Sequence, residues 1–434
     1  MSTQDLATAR LAAEVQLLEA EARALEAKAT SLSGKDVRQL ALSGGVDSPL
    51  VAEALTTLGT YRMLDAGKPE KKPIHISMNM VQSDPQSCMV NPYMDMFALI
   101  DYIRIMQKEG YKFTMQVTGS CIQQALSLLQ VADERIMTPH SKLMITEEEI
   151  VVRANSAEAR KKLKYFQRLE ERARQFICNR SKLTMDEIAK ETGYDRKWWF
   201  DSKTALERGL VDAVDVRLVP GNPWKPNADL MPAAGDSLEI RKAKAAARKD
   251  LAEAALIEFE ADTLESAMRP SPILFLGPVN SQTCSMAAMA LQKQGRIPGA
   301  ELSMIIYSPG GAVVDGVTLL DVVEKLKADG HKFNTTAIGC AASMGGYLLK
   351  AGDDCALGEN ALVLIHRISR VIAGGNSQAR DQEEQMKELE QEVLPMLLRG
   401  SDITNDEYMA KTEDGDWWLE APEALARKVV NRVV

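Results

Sequence analysis

The stretch Gly339-Cys340-Ala341-Ala342-Ser343-Met344-Gly345-Gly346-Tyr347-Leu348-Leu349 decides the reading of this chain. One serine stands among small residues, with a β-rich run before it and a helical run after it. A strand-to-helix junction that sets a hydroxyl beside helix N-terminal amides needs this composition. Upstream, Met304-Ile305-Ile306-Tyr307 leads into Ser308-Pro309-Gly310-Gly311, an apolar strand followed by a tight turn. Its glycines permit close approach and unusual φ, so the turn can present a backbone N–H to an oxyanion. Downstream, Ala361-Leu362-Val363-Leu364-Ile365 delivers His366 at the end of an apolar strand. A serine nucleophile needs such a base, because its own pKa is far too high.

With Trp418-Leu419-Glu420-Ala421-Pro422-Glu423-Ala424 added, these motifs resemble the ClpP family, the serine peptidase subunit of Clp proteases, in order and spacing. The resemblance implies a crotonase-like ββα superhelix, Ser343 as nucleophile, His366 as general base, and the amides of Gly311 and Met344 as oxyanion hole. His366 would take the Ser343 proton as the hydroxyl attacks a peptide carbonyl. The third member stays open. The family usually places an Asp before the aromatic-Leu-x-Ala segment, and a gapless alignment puts Thr412 there. Asp414 is the first choice, with Asp416 and Glu413 as alternatives and a Ser343–His366 dyad as the remaining reading. From Ala373-Gly374-Gly375-Asn376 to about Leu398 runs an acidic, Glu/Gln-rich helix. The family's ring-joining handle occupies this slot; a solvated amphipathic helix explains the same composition.

Much of this pattern occurs twice. Trp198-Trp199-Phe200 matches Trp417-Trp418-Leu419, Leu183-Thr184-Met185-Asp186-Glu187 matches Ile403-Thr404-Asn405-Asp406-Glu407, and Gly110-Tyr111-Lys112-Phe113 matches Gly330-His331-Lys332-Phe333. Further back, Ile76 to Met80 is set against Leu302 to Ile306. The order is that of a tandem duplication, each copy alternating strand runs with helical segments in the manner of an α/β domain. The chain divides into an N-terminal amphipathic helix (1–35), a first domain (36–216), a Pro-rich linker with a second long helix (217–270) and a second domain (271–434). Leu11, Val15, Leu18, Ala22, Leu25, Ala29 and Leu32 form one seam on the first long helix; Ile240, Ala247, Leu251, Ala254, Ile257, Ala261 and Leu264 form a looser stripe on the second. Such helices join subunits or pack on their own domain, and the sequence leaves both open.

The first copy lacks the chemistry. Gln123 stands where Ser343 stands, Thr146 replaces His366, and Val81-Gln82-Ser83-Asp84 replaces the Ser-Pro-Gly-Gly turn. A rescue through Ser120 or Cys121 with His140 as base is disfavoured, since neither nucleophile falls on the motif position. One rival motif, Leu40-Ala41-Leu42-Ser43-Gly44-Gly45-Val46-Asp47-Ser48, reads like a phosphate-binding loop. Phe275-Leu276-Gly277-Pro278-Val279-Asn280 fills the same slot in the second copy, so the repeat explains the segment without nucleotide.

Composition bounds the partners. The 434 residues suggest two or three domains; 45% are apolar, 26% charged and 5% aromatic. A net charge of −9 argues against general nucleic-acid binding, which needs a cationic surface. Four histidines and six scattered cysteines without a Cys-x-x-Cys pair offer little to zinc, and no cofactor is called for. A polar N-terminus and the lack of a long apolar run suit a cytoplasmic protein with reduced thiols. The expectation is therefore a serine endopeptidase acting on protein or peptide substrates within a homo-oligomeric ring, its first domain inactive. A separate AAA+ unfoldase would be its partner, or phage head proteins if it is a capsid-maturation protease. The competing readings are a non-enzymatic ring component and an acyl-CoA enzyme of the wider crotonase superfamily.

Overall fold

The computed structural model describes the chain outside positions 1–2, 34–37, 84–85, 89, 148–155, 194–195, 216–227, 234, 269, 369–375 and 414. A long helix, α1 (Thr3–Ser33), comes first. The first domain then runs β1 (Arg38–Gly44), α2 (Ser48–Leu64), β2 (Ile74–Met80), α3 (Pro92–Lys108), β3 (Phe113–Val117), β4 (Ser120–Ile122) and α4 (Gln124–Leu129). It continues through β5 (Glu134–Met137), β6 (Lys142–Ile145), α5 (Ser156–Arg180), α6 (Met185–Thr192), β7 (Trp198–Phe200), α7 (Ser202–Glu207) and β8 (Ala213–Val214).

A second long helix, α8 (Leu238–Met268), leads to the second domain. This opens with β9 (Ile273–Leu276), α9 (Ser281–Gln294), β10 (Glu301–Ser308), α10 (Val313–Ala328), β11 (Lys332–Ala342) and α11 (Met344–Lys350). It closes with β12 (Asp354–Leu357), β13 (Leu362–Ile365), α12 (Asn376–Leu398), α13 (Asn405–Thr412), β14 (Trp417–Glu420), α14 (Ala421–Ala426) and β15 (Arg432–Val433). Element follows element in the same order in both copies. No helix among the described residues is long and apolar enough to cross a membrane.

The three sheets are parallel apart from the pairs β6–β7 and β13–β14. Parallel strands covered on both faces read as near-continuous apolar runs, and β10 and β13 are buried in that manner. In the second copy β11 runs unbroken, so its strands form one seven-stranded sheet. In the first copy the same path breaks between β3 and β4, leaving a five-stranded sheet, β1-β2-β3-β5-β8, and a three-stranded one, β4-β6-β7. Strand register corrects the alignment of the repeats: Ile74 pairs with Phe113 as Leu302 pairs with Phe333, so Ile74 rather than Ile76 holds the place of Leu302.

The rival phosphate loop is a capped turn. Gly44 and Gly277 share φ values of 116° and 114°. Asp47 accepts from Leu50 N at 3.1 Å, and Asn280 accepts from Thr283 N at 3.0 Å. The N-terminus of α2 is thus covered by the chain's own carboxylate.

The two domains share a core. Helix α3 is buried along nearly its whole length, with its outer side lying on β11. A Cβ on Gly339 would fall 2.7 Å from Ala98 Cβ and 2.8 Å from Met94 O, so only glycine lets the helix approach this closely. Ile305, Tyr307, Ile338, Cys340 and Leu362 of the second domain join the first domain's core. Two acids on α3 cross the joint. Asp101 accepts from Asn360 Nδ2 at 2.7 Å, Asn360 N at 3.1 Å and Gly339 N at 3.4 Å. Asp95 accepts from Ser48 Oγ at 2.9 Å and from the Tyr307 hydroxyl. Burial pushes both carboxyls up to about 6, against the hydrogen bonds that favour the ionised form. Helix α5 adds a stack of Tyr165 on Trp418, centroids 5.3 Å apart.

Helices α1 and α8 pack along each other. Their ion pairs, Lys242–Glu14 at 2.8 Å and Lys249–Glu21 at 2.9 Å, advance together along both helices, which therefore run parallel. The α1 seam is the buried one, with Val15 and Ala22 inside. On α8 the expected stripe faces outward instead: Ile240, Leu251 and Ile257 are exposed, while Ala245, Arg248, Ala252 and Leu256 are buried. The inward face is built on alanine and arginine, because Arg248 pairs bidentately with Glu26, at 2.6 Å from Nε to Oε1. A hydropathy reading cannot find such a seam.

Candidate active site

Ser343 occupies the junction between β11 and α11 with φ 52° and ψ −123°, a conformation that L-residues adopt only when their surroundings impose it. Its N–H donates to Leu364 O at 3.0 Å, which anchors the elbow to β13. Met344 opens α11, so its N–H has no partner within the helix. The Ser308–Gly311 turn packs directly on the elbow, since a Cβ on Gly310 would lie 2.5 Å from Ser343 Cβ. Gly311 has φ 149°, and a Cβ there would meet Val279 O at 2.2 Å. Flanking bonds hold the turn: Val279 N donates to Gly310 O and Ala312 N to Val279 O, both at 2.8 Å. The Gly311 N–H has no acceptor among the described residues.

His366 follows β13 and is half-buried. Ser343, His366, Gly311, Met344, Pro309 and Tyr347 line one cavity of about 340 Å³. Nucleophile candidate, base candidate and both candidate oxyanion amides therefore share one space. No hydrogen bond joins Ser343 to the His366 ring among the described residues. Such bonds commonly tighten only when substrate is bound.

The carboxylates divide differently. Asp414 lies outside the described residues. Thr412, in the family's Asp position, is buried and donates its hydroxyl to Tyr408 O at 2.7 Å. Glu413 is exposed, and Asp416 lines a separate cavity of about 330 Å³ with Lys161, Lys162, Tyr165 and Trp418. Neither stands on the Ser343 cavity. A carboxylate without a motif is linked to His366 through one side chain: Tyr408 donates to Glu390 Oε1 at 2.6 Å, and its hydroxyl lies 3.3 Å from the backbone O of His366. Burial and the Glu390 bond both push the Tyr408 phenol up. Glu390 belongs to α12, and its helical spacing from buried Val393, Leu394 and Leu397 was the signal that it turns inward.

The first copy keeps the elbow and fills the site. Gln123 has φ 51° and ψ −108°, and its N–H donates to Met144 O at 3.0 Å, just as Ser343 bonds Leu364. Its side-chain Oε1 accepts from Thr146 N at 2.9 Å, closing the space between the nucleophile and base positions. Cys121 is fully buried, which pushes its thiol far up, and His140 lies exposed on the turn before β6. No hydrogen bond joins Cys121 to His140 among the described residues. No disulfide joins the six cysteines among the described residues.

The Clp protease family model matches residues 92–217 and 258–434, one stretch in each copy. The two matches together cover well over half of the chain, and the second contains Gly311, Ser343, Met344 and His366. On these grounds the chain belongs to the Clp protease family.

Proposed function

We propose that the second domain is a serine endopeptidase and that the first is its catalytically inactive relative, both working within an oligomeric ring. The observation that carries the reading is the contrast between two equal elbows. In one, a serine shares a cavity with a histidine and two unpartnered amides; in the other, a glutamine closes the same space.

In this mechanism Ser343 Oγ attacks the carbonyl carbon of a peptide while His366 takes its proton. The carbonyl oxygen becomes an oxyanion held by the N–H groups of Gly311 and Met344. His366 then returns the proton to the leaving amine, and water repeats the sequence on the acyl-enzyme. Asp414 is the proposed orienting carboxylate for His366. Pre-aimed amides supply about 3–4 kcal/mol of transition-state stabilisation each when removal is the measure.

The test is labelling of the purified protein with a fluorophosphonate probe. Labelling is expected in the wild type and in Cys121→Ala, and is expected to vanish in Ser343→Ala. Assembled wild-type protein that takes no label would sink the reading.

A further inference from the structure

A cavity of about 430 Å³ opens on the second domain at the far end of α11, lined among others by Lys350, Asp353, Cys355, Arg399, Lys428 and Asn431. The first copy shows what this space holds when it is filled. Phe113 and Phe333 both receive an Asp side chain on their N–H, Asp133 and Asp353. Arg135 N and Cys355 N likewise both donate to a side-chain oxygen, of Asp212 and Asn431. Cys355 therefore stands in the place of Arg135, Asn431 in that of Asp212, Lys350 in that of Gln130 and Lys428 in that of Gly209.

In the first copy Arg135, 4% exposed, fills the space. Its Nη1 donates to Gln130 Oε1, to Arg180 O at 2.9 Å and to Gly209 O at 3.0 Å, and its Nε to Asp212 Oδ2 at 3.0 Å. The chain supplies both cation and carboxylate. In the second copy Lys350 and Lys428 each add a positive charge, Asn431 removes a negative one and Cys355 removes a positive one. The lining is thus more positive, and the guanidinium that filled it is gone.

The rim charges have partners: Lys428 with Asp402 at 3.1 Å, Asp353 with Lys327 at 2.9 Å and Arg399 with Glu324 at 3.5 Å. Lys350 has no carboxylate. Its side chain is 8% exposed, and among the described residues its ammonium bonds the Val429 carbonyl alone, at 3.1 Å. A buried ammonium without a counter-charge is disfavoured, and burial pushes Lys350 down. Cys355 does not supply that charge: burial pushes its thiol up, and Sγ donates to Leu349 O at 3.0 Å. Lys428 holds φ 56° where Gly209 holds 71°. A lysine kept at a torsion that favours glycine marks a position where the side chain is used.

We propose that this pocket binds a phosphate group, free or as a monoester, which takes the charge role of Asp212. Lys350, Arg399 and Lys428 approach it from three places, the end of α11, the residue after α12 and the loop between α14 and β15. Three converging cations suit a dianion with several acceptor oxygens better than a single carboxylate. Binding needs no reaction at Ser343, so the inference stands apart from the peptidase reading.

The experiment is isothermal titration calorimetry of the full chain with inorganic phosphate, in chloride buffer at constant ionic strength. One saturable site per chain is expected, with acetate at least about tenfold weaker. Lys350→Met and Lys428→Gly are each expected to weaken phosphate binding at least about tenfold. Lys428→Gly restores the first copy's residue and should melt like the wild type in phosphate-free buffer. Phosphate should raise the melting temperature of the wild type and leave that of Lys350→Met unmoved. Tighter binding of glycerol 3-phosphate than of inorganic phosphate would identify the ligand as a monoester, the reverse as the free ion, and either supports the site. No saturable binding up to the millimolar range, acetate binding as tightly as phosphate, or binding unchanged in Lys350→Met or in Lys428→Gly would overturn the proposal.

Discussion

Replacing Asp101 by alanine tests the joint where it is most exposed to pH. The side chain is 1% accessible and receives three donors from the second domain, at 2.7, 3.1 and 3.4 Å. Removing it leaves Asn360 N, Asn360 Nδ2 and Gly339 N unpaired inside the joint. Each buried unpaired group costs about 1–3 kcal/mol, and a water entering the vacated space satisfies part of the set. The expected loss is about 3 kcal/mol at pH 5. Burial raises the native carboxyl from the ordinary 3.8 to about 6, so the folded state binds the proton more tightly than the unfolded chain. The stabilisation is therefore complete below the unfolded pKa and falls as pH climbs through about 6. Between pH 5 and pH 8 the difference between wild type and Asp101→Ala should shrink by about 1.4 kcal/mol. Asp95 titrates in both proteins and cancels in the comparison. Urea unfolding followed by tryptophan fluorescence measures the difference, and hydrogen exchange of α3 localises it. A difference under 1 kcal/mol, or one that stays constant or grows from pH 5 to pH 8, would refute the assignment of Asp101 as a buried, proton-binding latch.

Gly311→Ala places a Cβ against the Val279 carbonyl and displaces the candidate oxyanion amide while leaving Ser343 and His366 untouched. Fluorophosphonate labelling should slow by about 100-fold or more, with circular dichroism unchanged; a labelling rate within a factor of three of wild type would contradict the role of that turn. Arg248→Ala leaves Glu26, 9% accessible, without its bidentate partner between α1 and α8. Amide exchange throughout α1 should accelerate at least about tenfold while the two domains keep their protection. If α1 exchanges as in wild type, the parallel helix pair does not depend on that buried ion pair.

The sequence was most legible where chemistry demands particular residue types at fixed spacing. The glycine turn, the serine elbow and the strand-terminal histidine are each local, and the structure brings them to one cavity because three neighbouring parallel strands end on the same side. Gln123 and Thr146 were found by the same reasoning, through the repeat. What escaped was non-local or polar. The composition of α12 does not single out Glu390 from its acidic neighbours; its spacing from Val393, Leu394 and Leu397 puts it on the inward side, and only the tertiary contact with Tyr408 ties it to the site. The inward face of α8 is not legible in hydropathy because its burial rests on alanine and on the Arg248–Glu26 pair rather than on large aliphatic residues. The strand shift at β2 was invisible because a two-residue slip keeps every side chain on its own face, so alternation alone cannot detect it. The two acids of α3 stood in the sequence twice over, at Asp95 and Asp101 and again at Asp315 and Asp321, without any local sign that one pair is a domain latch.

The left-handed backbone at Gln123 bears on how strain is read in this family of folds. Residues held at such φ/ψ values carry of order 1–3 kcal/mol, a burden usually attributed to catalytic need. Here a glutamine carries it, bonded to the amide of Thr146 at the position that His366 holds in the second copy. The elbow is thus a structural requirement of leaving a buried parallel strand and entering a helix at once. Its cost is borne by the architecture whether or not a nucleophile sits there. A duplicated domain can therefore exchange the side chain at its elbow and keep its shape, and a search for active copies among such domains should weigh the side chains at the elbow and ignore the torsion that holds them.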